Sequence, residues 1–557
     1  MKLLTTFLIC LLLINEIFSQ NNCDCNHIIN GLSTENINII NASEFEYSPG
    51  DTFCFESGTY RGVRLIGFVG EKNKPLIFKN INGIVLINEP SYPAIELKRS
   101  KYVRFAGDGC DDSFYGFNVE SGTTAVSISE FSSDIEIDHI EVLKSGFAGI
   151  MAKTNPECSD ENTWRRNGYI MKNLKLHHNY IKNTEGEGFY IGSTDGYKIK
   201  TRLKCNNEYV FAHWLENVEI YNNKIENAGW DAIQVNLVRK EGKVYNNTVY
   251  GYGMTTDNGY QKFGMSIGGG IYSIYNNFIN NDGSGKGLQF ISAQSGTKIF
   301  NNVLVSPKSD AIFMHSRHLL EGDTGYYVMN NTIINPEKSG IKLITSITES
   351  INEEDVGKLQ LDKPSYFINN VIANPGNTYE LQGTWKGVDE NYIDFNSQQE
   401  KIAFEEFKRF NLQTKNIEEV GFKDFLNGVY EAKNEESLLV DVGENLSKFG
   451  VSFDFNGNKR PQNKLFDVGA FEYTLNNNQG NNKTRVIVYP NPTNNELIIK
   501  SNLEVKEISI YTLYGKRIKY ISKLINNQFS LKDLSKGFYI VEVDFLGDKK
   551  IFKIFKE

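Results

Sequence analysis

Tyr245-Asn246-Asn247-Thr248-Val249 and, thirty residues on, Tyr275-Asn276-Asn277-Phe278-Ile279 are two copies of one phrase: a hydrophobic or aromatic residue, an Asn pair, then an aliphatic residue. Outward from them the phrase recurs upstream as His178-Asn179-Tyr180-Ile181 and Tyr221-Asn222-Asn223-Lys224-Ile225. Downstream it recurs as Phe300-Asn301-Asn302-Val303-Leu304, Met329-Asn330-Asn331-Thr332-Ile333 and Ile368-Asn369-Asn370-Val371-Ile372. Counted from the second Asn (Asn179 in the first copy), the steps are 44, 24, 30, 25, 29 and 39 residues. A period near two dozen, stretched by insertions, is the signature of a solenoid in which each repeat stacks on the last. Asn tolerates the left-handed backbone of a turn, and its amide reaches the same position one coil away, about 4.8 Å along the axis. The phrase predicts an asparagine ladder.

About eight residues after each turn a second strand aligns, from Glu187-Gly188-Phe189-Tyr190-Ile191 to Ser339-Gly340-Ile341-Lys342-Leu343. Alternation turns Phe189, Ile233, Met265, Leu288, Ile312 and Ile341 inward. Tyr190, Gln234, Ser266, Gln289, Phe313 and Lys342 face outward. Stacked coils make that outward column one long face, suited to a polymer lying along the axis. Tyr190, Trp230, Gln234, Lys286, Gln289 and His318 are its candidate substrate-binding residues, since rings, amides and charges in line can stack on and bond to a sugar chain.

Two chemistries fit such a groove. Glu187, Asp231, Lys286 and Asp310 occupy the column just before the strand, and Glu187 with Asp231 on adjacent coils meets the spacing that glycoside hydrolysis demands of its paired carboxylates. Gly-x-Asp-Ala-Ile is also a turn-into-strand phrase in which Asp bonds nearby amides, the plainer reading for Asp231 and Asp310. The other chemistry is β-elimination from a uronic acid. It needs a base near the C5 proton and a positive group against the carboxylate, for which Arg202, Lys262, His315 and Arg317 are candidates. Lys153 to Lys204 holds ten Lys and Arg against six acids, a local excess of four in an acidic chain. Metal-ligand spacing is absent. Asp108-Gly109-Cys110-Asp111-Asp112 is acidic enough for a hard cation, so Ca²⁺ is the cofactor to test there, with a tight turn as the alternative.

Residues 1–19 read as a cleaved signal peptide, with basic Lys2 and an apolar run from Leu3 to Leu13 too short to span a membrane. Six cysteines remain beyond it, an even number that suits disulfides in an exported chain, and Cys158 with Cys205 is the first pairing to expect. Residues 483–557 carry 14 Lys and Arg against 8 Asp and Glu, a net +6; the whole chain is −9, which leaves −15 on residues 20–482. That acidic body excludes a nucleic-acid partner.

Residues 476–483 (NNNQGNNK) are a polar linker. Beyond it, alternating runs at Leu497–Lys500, Ile508–Tyr511, Phe538–Val543 and Ile551–Phe555 predict a small antiparallel β-sandwich over 484–557. With Tyr489-Pro490-Asn491-Pro492, Ile510-Tyr511-x-Leu513-x-Gly515-Lys516 and Leu534-x-x-Gly537-x-Tyr539-x-Val541, this segment resembles the C-terminal sorting domain of type IX secretion substrates. That resemblance implies passage across an outer membrane by the type IX machinery, removal of the domain and attachment at the surface. Pro49 to Phe78, with Gly50-Asp51 and Gly58 as turns, resembles the first coils of right-handed parallel β-helix proteins of the pectate-lyase and chondroitinase-B-like type. Residues 437–475 resemble the terminal segment of surface β-helix proteins, with Arg460 set to pair with Asp467 or Glu472 across a hairpin at Asn456-Gly457. Ile402, Phe404, Phe407 and Phe410 have helical spacing, so a short helix is expected over 398–410.

The expectation is an all-β protein: a right-handed parallel β-helix over 20–436, its repeats clearest over 136–381, then a cap over 437–475 and the sorting domain. It is read as a monomer without a transmembrane segment that acts on a polysaccharide, as a lyase first and a hydrolase second. A non-catalytic glycan-binding adhesin is the rival.

Overall fold

The computed structural model describes residues 24–556 except 110–112, 166–167, 195–203, 206, 256–260, 281–282, 316–324, 345–364, 377–386, 389–392, 396–407, 475–485, 490–492, 502–504, 513–515, 523–527 and 545–548. The expected signal peptide, Cys23 and Cys110 lie outside the described residues. From His27–Ile29 to Leu412–Thr414 the chain winds as a right-handed parallel β-helix, a 34-stranded sheet whose neighbours are almost all parallel. Each full coil contributes to three faces. Strands such as Trp214–Tyr221 form the first, strands after the Asn turn such as Lys224–Ala228 the second, and strands such as Phe189–Ile191 the third. Ile233–Tyr245 and Phe263–Tyr275 run from the third face of one coil into the first face of the next.

The asparagine pair divides its labour. The first position takes the left-handed backbone: φ is 54° at Asn222, Asn246 and Asn276, and 55° at His178, which stands in for Asn. The second position is buried and forms the ladder, with Nδ2 of Asn179, Asn223, Asn247, Asn277, Asn302, Asn331 and Asn370 each donating to Oδ1 of the next at 2.9–3.1 Å. Each Oδ1 also accepts the main-chain N–H of the Asn before it, as Asn277 does from Asn247 at 3.0 Å. The last rung, Asn411, follows Phe410, whose φ is 55°. The helix expected over 398–410 is corrected at its end: Lys408–Arg409 is a strand paired with Phe367 and Ile368, because the Phe410-Asn411 turn obeys the ladder rather than the helical spacing. Residues 398–407 lie outside the described set.

Inside, the aligned residues stack as the alternation requires: Phe189 on Ile233, Ile233 on Met265, then Leu288, Ile312 and Ile341 in register. Strands buried within a wound sheet need such apolar alternates on every coil. The first coils achieve this without the Asn phrase, through a phenylalanine cluster in which Phe53 and Phe78 stack at 4.8 Å and Phe105 meets Phe117 at 4.6 Å. Disulfides join Cys25 to Cys54 and, as expected, Cys158 to Cys205.

Residues 437–474 lie along the Asn corner of the last coils. Asn301 donates to the carbonyl of Phe453, Asn330 to those of Asp467 and Gly469, and Asn369 to that of Glu444. Arg460 is fully enclosed and pairs with Glu472 at 2.6 Å. The tail folds as a three-stranded and a four-stranded antiparallel sheet around Leu497, Ile508, Ile510, Phe529, Val541 and Ile554. No helix among the described residues is long and apolar enough to cross a membrane.

Candidate functional site

The third face presents the outward column predicted from alternation. Arg64, Glu96, Ser127, Met151, Tyr190, Gln234, Ser266, Gln289, Phe313 and Lys342 are paired coil to coil in unbroken register. The column is open at one end and covered in the middle. Gln234 and Tyr190 are buried, and the open part is a cavity of about 570 Å³ over Glu96, Ser127 and Met151.

One wall of that cavity is the insertion after Ile150–Ala152. Its short helix Glu161–Trp164 is capped by Asp160, whose side chain accepts from Asn162 N–H, and Trp164 packs on Cys205 and Val210 beside the Cys158–Cys205 bond. His213 fastens the insertion from below. Its Nε2 accepts the Thr154 N–H at 3.0 Å and its Nδ1 donates to the Trp214 carbonyl at 3.1 Å. Burial pushes its pKa down to about 4, so the ring is the neutral tautomer these bonds need. On the cavity floor the charges are already matched: Glu96 pairs with Arg64 at 2.8 Å, and Glu130 pairs with Lys98 and Arg99 at 2.9 and 2.8 Å.

Lys153 differs. It lines the cavity, has no carboxylate in salt-bridge range among the described residues, and places Nζ 4.3 Å from the centroid of the Tyr190 ring. From Tyr190 a hydrogen-bonded chain leads under the cover: Thr194 Oγ1 donates to the Tyr190 hydroxyl, Gln234 Nε2 to Thr194, and Gln261 Nε2 to both Gln234 Oε1 and Glu187 Oε1. Glu187 and Asp231 follow one another on adjacent coils, as the sequence predicts, but both are buried, and Oε2 of Glu187 and Oδ2 of Asp231 have no hydrogen-bond partner. Burial raises Glu187 to about 7, and burial together with the Glu187 charge raises Asp231 well above the ordinary carboxylate range. Oδ1 of Asp231 accepts the Phe263 N–H one coil on, and Asp310 accepts the Ser339 N–H likewise, which is the turn-into-strand role.

The other sequence candidates are dispersed. Trp230 is half-buried with its ring 5.7 Å from Phe147. Lys286 lies over the rings of Phe313 and Phe263, at 4.4 and 5.2 Å, beside the half-buried Gln289. Lys262 is half-buried on the neighbouring coil, and its carbonyl accepts the Lys286 N–H. His315 is buried as the last residue of the strand Ile312–His315, not in a loop as expected, because register with Ile291 and Ile344 carries the strand through it. Arg202, Arg317 and His318 lie outside the described residues.

Of the ten cations read between Lys153 and Lys204, Arg166, Lys198, Lys200 and Arg202 lie outside the described residues, and four of the others are paired. Arg165, Lys172, Lys175 and Lys182 pair with Glu161, Glu216, Glu136 and Glu141, and Lys204 rests on Tyr209. Lys153, which the sequence showed only as one charge among ten, is the one of the described six that lines the cavity. Aligning Ile150-Met151-Ala152 with Phe189-Tyr190-Ile191 was the signal that could have placed it.

Of the stretch singled out for Ca²⁺, Cys110, Asp111 and Asp112 lie outside the described residues, and Asp108 is already occupied. Asp108 belongs to a cluster with Asp138 and His139, and Arg104 fills it, bonding Asp138 through Nε and Nη2 at 2.8 Å and Asp108 at 2.6 Å. A second cluster, Glu136, Asp138 and His177, shares the same Asp138. The guanidinium is the cation there.

Residues 487–557 match the family described as Secretion system C-terminal sorting domain. Among solved structures the chain is similar to "Crystal structure of pectate lyase Pel9A", at 14% identity and a TM-score of 0.38, covering 81% of this chain and 98% of that one. It is also similar to a mannuronic acid specific polysaccharide family 6 lyase from human gut microbiota, at 10% identity and a TM-score of 0.31, covering 68% and 93%. No curated protein matches the sequence. The chain is a right-handed parallel β-helix that ends in a type IX sorting domain and is delivered to the cell surface or beyond it.

Proposed function

We propose that the third face binds a polysaccharide and that the protein is a polysaccharide lyase acting on a uronic-acid-containing glycan. The observation that carries this reading is the in-register outward column, which ends in a cavity of about 570 Å³ with Lys153 at its edge. A groove parallel to the axis suits a chain of sugars. Phe131 and Met151 offer apolar surface, and Ser127, Asn155 and Asp160 offer hydrogen bonds. Elimination needs a base and a positive charge near the uronate, and Lys153 beside Tyr190 supplies an uncommitted ammonium and a hydroxyl. Lys262 and Lys286 stand three and four coils further along the same face, beyond the buried Gln234.

The hydrolase reading stands second for a physical reason. A nucleophile or base must be ionised and must reach the sugar, whereas Asp231 is enclosed, and burial together with the Glu187 charge works against its ionised form. The adhesin reading needs the same groove without the base.

The experiment is a screen of the purified chain against uronic-acid and neutral polysaccharides, followed by ultraviolet absorbance of the 4,5-unsaturated product. Lys153→Ala is expected to lower product formation about a hundredfold or more with an unchanged melting temperature. Reducing ends without ultraviolet absorbance would establish the hydrolase instead. Binding without any product would establish the adhesin.

A further inference from the structure

The tail's four-stranded sheet meets the solenoid on the second face. Phe538, in the strand Gly537–Asp544, lies edge-on to Phe114 with ring centroids 5.0 Å apart, and Phe114 rests on His139 at 4.8 Å. Two lysines interleave with the rings of both bodies. Lys536 of the tail sits 5.4 Å from the Tyr180 ring, while Lys224 of the solenoid sits 4.8 Å from Tyr180 and 5.1 Å from Phe555 of the tail. Tyr180 donates its hydroxyl to Glu226, which Lys224 holds at 2.6 Å. Against the upward push of burial, those bonds and the charge of Lys536 keep Glu226 below the ordinary carboxylate range.

The seat is assembled from successive coils. Phe114 precedes the strand Phe117–Ser121, which pairs with Ile140–Ser145; Glu141 pairs with Tyr180, and Tyr180 with Lys224. No single coil carries it, so it exists only where those coils are stacked. Charge favours the match, with +6 on residues 483–557 against −15 on residues 20–482. A short polar linker holds the tail at a local concentration on the order of millimolar, so a modest contact is enough to keep it seated.

We propose that the second face of the solenoid is a built seat for the chain's own sorting domain, and that the full-length protein carries its tail docked there. The seat lies on a different face from the polysaccharide groove, so a docked tail leaves the groove open.

The test uses the full-length chain. A Cβ on Gly537 would lie 3.8 Å from Cβ of Phe114, the usual separation across a disulfide. Phe114→Cys with Gly537→Cys is therefore expected to cross-link on mild oxidation, with the linked peptides found by mass spectrometry. The control pair Phe114→Cys with Tyr520→Cys, Tyr520 being exposed on Arg517–Ile521, is not. Because Gly537 has φ of +154°, a second measurement leaves it intact. Small-angle scattering of the unsubstituted chain is expected to fit one compact body, and Phe538→Ala to speed amide exchange on the tail strand Gly537–Asp544 at least fivefold. A tail that samples many positions in the unsubstituted chain, or a cross-link no faster than the control, overturns the proposal.

Discussion

The asparagine corner and the third face are built on the same coils, yet one repeats and the other does not. At the corner, Asn179 to Asn411 make the same bonds at every rung. Along the third face the outward position changes chemistry at each coil, from Glu96 through Met151 and Tyr190 to Lys342. A ladder gains only from identical neighbours, because each amide is both donor and acceptor to its copy. A groove that recognises different parts of a ligand needs different side chains in succession. Regularity therefore marks the scaffold in this molecule, and departure from it marks the working surface.

The largest test of that contrast is Asn277→Ala. It leaves the buried Asn247 N–H without its acceptor and costs Asn247 Nδ2, the Val244 carbonyl and Asn302 Oδ1 one bond each. The expected loss is about 3–5 kcal/mol of stability, read as a lowered urea midpoint with the slope unchanged.

A smaller effect is expected on the other face, and it depends on pH. Glu187 titrates near 7 in the folded protein and near 4.3 when unfolded, so between those values the native state holds a proton that the unfolded chain has released. Stability contributed at this site is fully present at acidic pH and is lost as pH rises through about 7. Glu187→Gln should remove that dependence. Relative to the variant, the natural protein should lose up to about 1.4 kcal/mol per pH unit across the window, measured as denaturation midpoints at pH 5, 6, 7 and 8.

The smallest effects separate the two members of the Asn pair. Asn276→Gly should shift the midpoint by no more than about 0.5 kcal/mol, since glycine accepts φ of 54° and Oδ1 of Asn276 bonds nothing. Asn330→Gly should cost about 1–2 kcal/mol, because its Nδ2 holds two carbonyls of residues 467–469. Equal values for the two would mean that the outer amides are turn residues throughout.

How much was legible in the sequence follows the same division. The ladder, the inward alternates, the outward column, the Cys158–Cys205 bond and the tail sandwich were all readable, because each rests on local spacing repeated coil after coil. The first coils hid their repeat, since a phenylalanine cluster replaces the Asn phrase there. The site was only half readable. Register placed Tyr190, Gln234 and Gln289 on one face, but burial decided which of them are reached, and burial depends on how insertions fold back over the coils. Charge counting was blind for a related reason. Coils bring Glu136, Glu141 and Glu216 beside Lys175, Lys182 and Lys172, from 39 to 44 residues away in sequence, and pair three of the cations that a count along the chain leaves single.

The ladder also has a direction. Every Nδ2 points to the rung that follows it in the chain, and every Oδ1 receives from the rung before. A duplicated coil spliced in anywhere between Asn179 and Asn411 would find one neighbour ready to give and another ready to receive. Such an array can lengthen by one coil without inventing a contact, so the span of the groove it supports scales with the number of coils.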